Sequence, residues 1–251
     1  MISVVTVCLN AQEFIEQCIQ SVLNQGFDDF EYVIIDGGST DGTVEIIKKY
    51  ESKLAYWHSQ PDRGLAHAFN LGVEHSSGQW LLFLNSDDYF ASNNALLKMA
   101  DHLTRRPSSD VVFGQVDVVT REQITRKIGG PYGAEFQWKK FCLRNTIPHQ
   151  AAFSSRAFIE RAGPFSEEFR IAVDYEHFLR TGPTLDAVFI PILIANMRFD
   201  GLSQKCPYKS FLEWYRAQMA RKVVSKWRAQ IQFVSLVLRA YLLRVFRKVK
   251  G

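Results

Sequence analysis

Over residues 1–90 short apolar runs alternate with segments whose apolar positions recur at helical spacing. Residues 2–9 form a β-branched run. Residues 12–24 follow, with Phe14, Ile15, Cys18, Ile19, Val22 and Leu23 on one helical face. The same alternation predicts a strand at 32–35 ending at Asp36, a helix at 43–50 with Val44, Ile46 and Ile47 inward, a strand at 54–58 and a helix at 65–75. Residues 80–84 are apolar throughout, as suits a parallel strand covered on both faces. A helix is expected at 92–106 with Leu96, Leu97, Met99, Ala100 and Leu103 inward. Strands are expected at 111–113 and 116–119, an irregular aromatic-rich segment at 129–150, and a short helix closing over 158–162 before Gly163-Pro164. A second short helix is expected at 174–180, a last strand at 187–194, and two helices at 208–228 and 229–249. Strands alternating with helices imply right-handed βαβ units. The expected fold class is therefore α/β, a doubly wound, mostly parallel sheet flanked by helices, with a C-terminal helical extension.

Polar, flexible residues follow three of these strands: Asn10-Ala11, DGGSTDG at 36–42 and NSDD at 85–88. Ligands of open α/β sheets bind beyond the carboxyl ends of the strands, so the three loops should line one crevice.

Composition narrows the class. At 47% hydrophobic and 22% charged residues, the 251-residue chain is globular rather than disordered or fibrous. Its four cysteines are scattered without a C-x-x-C pair, which points to a reducing compartment and away from structural zinc. Residues 1–9 lack the basic n-region and cleavage site of a signal peptide. The net charge of +4 hides an asymmetry: residues 205–251 carry twelve Lys/Arg against one acid, Glu213 (+11), while residues 1–204 carry 18 against 25 (−7). This marks an acidic body, 1–204, joined to a basic tail, 205–251. The longest apolar stretch of the tail, 233–246, is interrupted by Arg239 and Arg244, so no spanning helix is expected.

Three constellations could carry chemistry. In DGGSTDGT at 36–43, Asp36 could accept hydrogen bonds from a base or ribose; equally, the segment is a strand-to-helix turn capped by Asp41 or Thr40. The G-x-G-x-x-G pattern is absent, which argues against NAD. Asp87 and Asp88, adjacent at a strand end, repel each other unless a cation sits beside them, and Mg²⁺ or Mn²⁺ is the natural partner. The alternative is a solvated acidic turn. Asp174, at the start of a short helix, is either an N-cap or a general base. Its neighbour Glu176, with His149 and Gln150 of IPHQ at 147–150, is an acceptor-side candidate.

The ordered set TVCLN (6–10), SVLNQ (21–25), DGGSTDGT (36–43), DRG (62–64), NLG (70–72), GQW (78–80) and LNSDD (84–88) resembles the family 2 inverting glycosyltransferases of GT-A fold, over residues 1–204. The resemblance implies a nucleotide-sugar half, 1–90, and an acceptor half, 91–204. It implies that Thr6 and Asn10 flank the nucleotide, that Asp36 contacts base or ribose, and that Asp62 and Arg63 sit at the nucleotide's other side. It also implies that Asp87 and Asp88 form the metal motif for Mn²⁺ or Mg²⁺, with Asp88 the direct ligand, and that Asp174 is the catalytic base. The loop Arg198–Ser203 lies near the active site by the same resemblance. Two positions depart from the pattern: Gly37 stands where many relatives carry a second acid, and Val173 where relatives often carry Glu.

The expected partners are a nucleotide-diphosphate sugar and a glycan or lipid-linked acceptor, in surface polysaccharide synthesis on the cytoplasmic face of the membrane. In the tail, Ser225, Arg228, Gln232, Ser235 and Arg239 form one polar stripe on an otherwise apolar helix. Such a helix either lies in a membrane interface or packs on protein, on the body or on a second copy in a homodimer. No nucleic-acid motif is present. Two other classes remain: a sugar nucleotidyltransferase, whose glycine-rich triphosphate loop residues 9–13 do not supply, and a non-catalytic nucleotide-sugar-binding protein.

Overall fold

The computed structural model describes residues 1–120, 124–128, 136–199 and 206–249, with the side chains of 124–128, 239 and 241–249 left aside. The first half runs β1 (Ile2–Cys8), α1 (Ile15–Leu23), β2 (Phe30–Asp36), α2 (Thr43–Lys48), β3 (Tyr56–Ser59), α3 (Leu65–Glu74) and β4 (Trp80–Phe83). β1 lies between β2 and β4 and parallel to both, and β3 lies parallel outside β2. The carboxyl ends of all four strands therefore share one edge, as their alternation with helices predicts.

The second half adds β5 (Tyr89–Phe90), α4 (Ala95–Thr104), β6 (Val111–Val119), β7 (Ile124–Ile128), α5 (Trp138–Phe141), β8 (Ala152–Ser155), α6 (Arg156–Ala162), α7 (Val173–Leu179), β9 (Ala187–Arg198), α8 (Pro207–Ala220) and α9 (Lys226–Val249). The sheet order is β3-β2-β1-β4-β8-β6-β9-β5, with β7 on β6. β8 is antiparallel to both β4 and β6, so the sheet is mixed at its centre. β6 is one strand, not the two expected at 111–113 and 116–119; its pairing with β9 shifts register around Gln115. β9 runs on to Arg198, past the expected end at 194.

Alternate residues of the central strands feed two cores. Val4, Ile34 and Leu82 pack against α1 and α4, and Val5, Val33, Ile35 and Leu81 pack against α3 and α7. All seven are fully buried, and each contributes on the order of 1.5–3 kcal/mol. Both faces of the sheet are covered, which is why its strands read as continuous apolar runs.

The expected boundary at 204/205 falls within 200–205, outside the described residues. α8 packs on the body: Ala217 is fully buried, and Gln218 donates to the carbonyls of Cys142 (3.0 Å) and Leu143 (3.3 Å). α9 lies on α8, where Phe233 meets Tyr208 and Tyr215. Of the polar stripe, Ser225, Arg228 and Ser235 are exposed. Gln232 points inward, toward Leu143 and Gln218. Trp227, Ile231, Val234 and Leu238 also lie outward, each more than half exposed. No helix among the described residues is long and apolar enough to cross a membrane.

Candidate active site

The loops leaving β1, β2 and β3 are tied into one wall. Asn10, held at φ +51°, donates its N–H to Ser39 Oγ (2.7 Å) and accepts from Thr40 N–H through Oδ1 (2.9 Å). Asp41, rather than Thr40, receives the first N–H of α2, from Thr43 at 2.9 Å, along with that of Gln12 at 3.1 Å. Gly37 leaves room for a neighbour: a Cβ there would stand 2.6 Å from Asp62 Oδ2, so the Asp62 carboxylate fills the space a second acid would use. Gly38 needs its φ of +86° to turn past Pro61.

Two residues expected at the nucleotide do not reach the crevice. Thr6 is fully buried, accepting from Tyr32 OH (3.0 Å) beside Cys18, because the alternation along β1 turns it toward α1. The Asp36 carboxylate is also fully buried and filled from within, by the amides of Gly38 (3.1 Å) and Ser39 (2.8 Å) and the hydroxyls of Ser39 and Ser59. Burial opposes its ionisation, but these donors outweigh burial and hold it below its ordinary value. Asp36 therefore shapes the loop. Arg63, expected beside the nucleotide, is engaged by Glu167 in a two-pronged pair at 2.7 and 2.8 Å on the surface.

Asp174 and the 85–88 loop meet at His149, whose charge the carboxylates of Asp87 and Asp88 also influence. Its Nδ1 lies 3.5 Å from Asp174 Oδ2, and its Nε2 lies 3.0 Å from Asn85 Nδ2. An imidazole carrying its proton on Nδ1 satisfies both contacts, a tautomer assigned from the network. Asn145 also donates to Asp174 Oδ2, at 3.0 Å, and its own Oδ1 accepts from Ile147 N–H, which fixes the turn leading to His149. Burial drives the imidazolium down, but Asp174, Asp88 and Asp87 outweigh it and raise the His149 pKa.

Asp88 is 2% exposed. It accepts from Arg198 N–H (3.1 Å) and from the Gln150 amide, yet burial and the adjacent Asp87 push it up to about 7. Asp87 is half-buried. Beside them Asn85 Oδ1 is buried with no hydrogen-bond partner among the described residues. An under-neutralised pair of carboxylates with an unused oxygen donor alongside is a hard-cation donor set, although no group of three acidic, His or Cys side chains is gathered among the described residues. The arrangement fits Mg²⁺ or Mn²⁺ held by Asp87 and Asp88.

Asp174 is not an N-cap. The cap position of α7 is Ala172, and the Asp174 side chain faces Asn145 and His149. Glu176, expected on the acceptor side, is instead fully buried between Arg180 (2.7 Å) and Arg221 (2.6 Å) and serves packing. Sequence reasoning did not single out Asn145, and it placed Asn85 and Arg198 only within loops expected near the site. The Arg198 guanidinium lies over the Phe14 and Tyr89 rings (4.8 and 5.3 Å), and its buried Nε is without a partner among the described residues. Arg198 is the first residue of the loop Arg198–Ser203 expected near the site by the family resemblance. Residues 200–203 of the loop expected near the site lie outside the described residues.

A mixed, mostly parallel sheet with paired acids beyond its strand ends is the architecture of a GT-A glycosyltransferase. The Glycosyl transferase family 2 model matches residues 3–161, and the chain belongs to that family. Among curated relatives, the PGL/p-HBAD biosynthesis glycosyltransferase of Mycobacterium tuberculosis is 31% identical over 219 residues, 85% of this chain and 83% of the relative. An uncharacterised glycosyltransferase of the same species is 30% identical over 205 residues, 80% of this chain and 76% of the relative. Among solved structures, S. aureus TarS 1–349 superposes with a TM-score of 0.69 at 19% identity, over 94% of this chain and 70% of TarS. The mannosyltransferase PcManGT from Pyrobaculum calidifontis, in complex with GDP-Man and Mn²⁺, gives 0.63 at 16% identity, over 99% and 79%.

Proposed function

We propose that this chain is an inverting, metal-dependent glycosyltransferase that moves the sugar of a nucleotide-diphosphate sugar onto a hydroxyl of a glycan or lipid-linked acceptor. The observation that carries the reading is the approach of Asp174 to the Asp87–Asp88 loop through His149. A base and a cation site on either side of one imidazole suit a single displacement at an anomeric carbon.

In that displacement the acceptor oxygen bonds to the anomeric carbon from one face while the bond to the diphosphate oxygen breaks on the other. The acceptor proton passes to Asp174, and the nucleoside diphosphate leaves. Asn145 and His149 hold the Asp174 carboxylate in place. A positioned base of this kind contributes about 10²–10⁴-fold in rate. A cation at Asp87 and Asp88, when bound, neutralises charge on the leaving diphosphate. Arg198, with an N–H free among the described residues, adds a fixed positive charge beside it. Asn10 and Asp62 line the nucleotide side. Two solved structures of this fold support a nucleotide-sugar donor, TarS with UDP-GlcNAc and PcManGT with GDP-Man and Mn²⁺.

The protein works at the cytoplasmic face of the membrane, in synthesis of a surface glycan, with α9 lying in the lipid interface. The exposed line Trp227, Ile231, Val234 and Leu238 is the face that enters, and the +11 tail favours an anionic leaflet, each Lys/Arg adding about 1 kcal/mol near the surface.

The donor is tested by a thermal-shift screen of UDP-, GDP- and dTDP-sugars with Mn²⁺ or Mg²⁺. A binder at about 100 Kd stabilises by about 2.7 kcal/mol. Cation-dependent stabilisation by one nucleotide class is the expected result; no shift with any donor contradicts the reading.

A further inference from the structure

The one acid of the basic tail, Glu213, does not face solvent cations. From α8 its carboxylate accepts three consecutive backbone amides at the entrance to α7: Arg170 (3.0 Å), Ile171 (2.8 Å) and Ala172 (2.9 Å). α7 has no side-chain cap of its own, although the first N–H groups of a helix lack intrahelical partners. Glu213 instead holds the chain leading into α7, up to its cap residue Ala172, from a helix about forty residues away in the chain.

The same helix grips α7 beyond the cap. Gln218 donates to Tyr175 OH (3.3 Å), and Tyr175 OH donates to the Cys142 carbonyl (2.6 Å). Arg221, at the end of α8, pairs with Glu176 at 2.6 Å. Asp174 thus stands in a stretch whose residues 170, 171, 172, 175 and 176 are each tied to α8. Gln218 also holds the carbonyls of Cys142 and Leu143, just before Asn145, which donates to Asp174. One helix therefore fixes both the segment that carries Asp174 and the segment that orients it.

We infer that Glu213 is a positioning residue for the transfer reaction: its carboxylate sets the entrance of α7, and through it the placement of the Asp174 oxygens against Asn145 and His149. The inference rests on the reading of Asp174 as the base. Charge-assisted bonds from one carboxylate to three amides are stiff. A misplacement of about 1 Å at a reacting group lowers rate on the order of 10²-fold. The basic tail is then part of the catalytic machinery, whatever its outer face meets.

The test compares Glu213→Gln, Asp174→Asn and the wild type with Leu103→Ala, a buried change in α4 that lowers Tm without touching α7. All are assayed well below their Tm. Nucleoside diphosphate release is measured from UDP-GlcNAc, UDP-glucose, GDP-mannose and a dTDP-sugar with Mn²⁺, and amide hydrogen exchange is followed over residues 170–176 without donor. For Glu213→Gln the expected result is a kcat at least tenfold below wild type, a donor KM within about twofold, and faster exchange confined to 170–176. Leu103→Ala should match its loss of Tm and keep kcat. A Glu213→Gln kcat within twofold of wild type, or exchange over 170–176 equal to that of Leu103→Ala, overturns the inference. Wild-type turnover by Asp174→Asn instead overturns the base assignment, and the exchange result still decides whether Glu213 orders α7.

Discussion

Asp88 is the residue whose protonation the fold disturbs most usefully. Burial, then Asp87, raise its pKa from 3.8 to about 7. A carboxyl raised in the folded state favours the protonated form, so its penalty is small below pH 4, grows as pH rises toward 7, and is full above that. Three pH units correspond to roughly 4 kcal/mol. Without divalent cation, Asp88→Asn should therefore raise Tm by several degrees at pH 8 and by much less at pH 5; thermal unfolding at the two pH values checks this, and equal shifts would contradict it. A cation requires the ionised form, so Mn²⁺ affinity should rise from pH 6 to pH 8, read by calorimetric titration. His177 behaves in the opposite sense. Burial lowers it to about 4, where it stacks on Phe165. A depressed histidine gives stability that is present above its unfolded value near 6.5 and lost as pH falls toward 4, so acid should destabilise the wild type through this window and His177→Gln less. At this scale the sequence showed which residue types stand at the strand ends but not where they point. Thr6 and Asp36 lie in motifs that read as nucleotide contacts, yet their side chains are enclosed by Tyr32, Ser39 and Ser59. Those enclosing partners come from up to 26 residues away in the chain.

The elements differ in how legible they were. β1, β2 and β4 were readable because both faces are covered, which leaves apolar runs with little competing pattern. β8 was not, because its four residues, Ala152–Ser155, include two serines and follow an irregular segment; only its place between β4 and β6 makes it a strand. Asp174 was legible as either cap or base; the cap reading falls because the cap position of α7 is Ala172, whose amide Glu213 of α8 accepts, a contact no local pattern announces. α9 was legible as amphipathic, but the face in contact with the body follows from Gln232 turning inward. Its outer line carries an expectation of its own. Serine at Trp227, Ile231, Val234 and Leu238 together should reduce recovery with vesicles containing phosphatidylglycerol severalfold in a flotation assay at low salt, with little change in Tm. Failure of the wild type to float would remove the membrane reading, and a concentration-dependent dimer by light scattering, lost in the quadruple variant, would assign the line to a second copy.

Taken as one molecule, the chain joins a crevice at the carboxyl edge of β1–β4 to a helical tail that reaches back to hold the opposite wall. The parallel half brings Asn10, Asp62, Asp87 and Asp88 to one edge, and the antiparallel insertion of β8 carries His149 and Gln150 up against them. α7, braced by α8, closes the arrangement with Asp174. Two halves that read separately in sequence thus meet across one imidazole. That meeting is the central claim, and Asp174→Asn tests it most directly when donor binding and transfer are measured on the same sample. The account predicts an unchanged cation-dependent thermal shift with the donor and a transfer rate at least a hundredfold lower; transfer near the wild-type rate would contradict it.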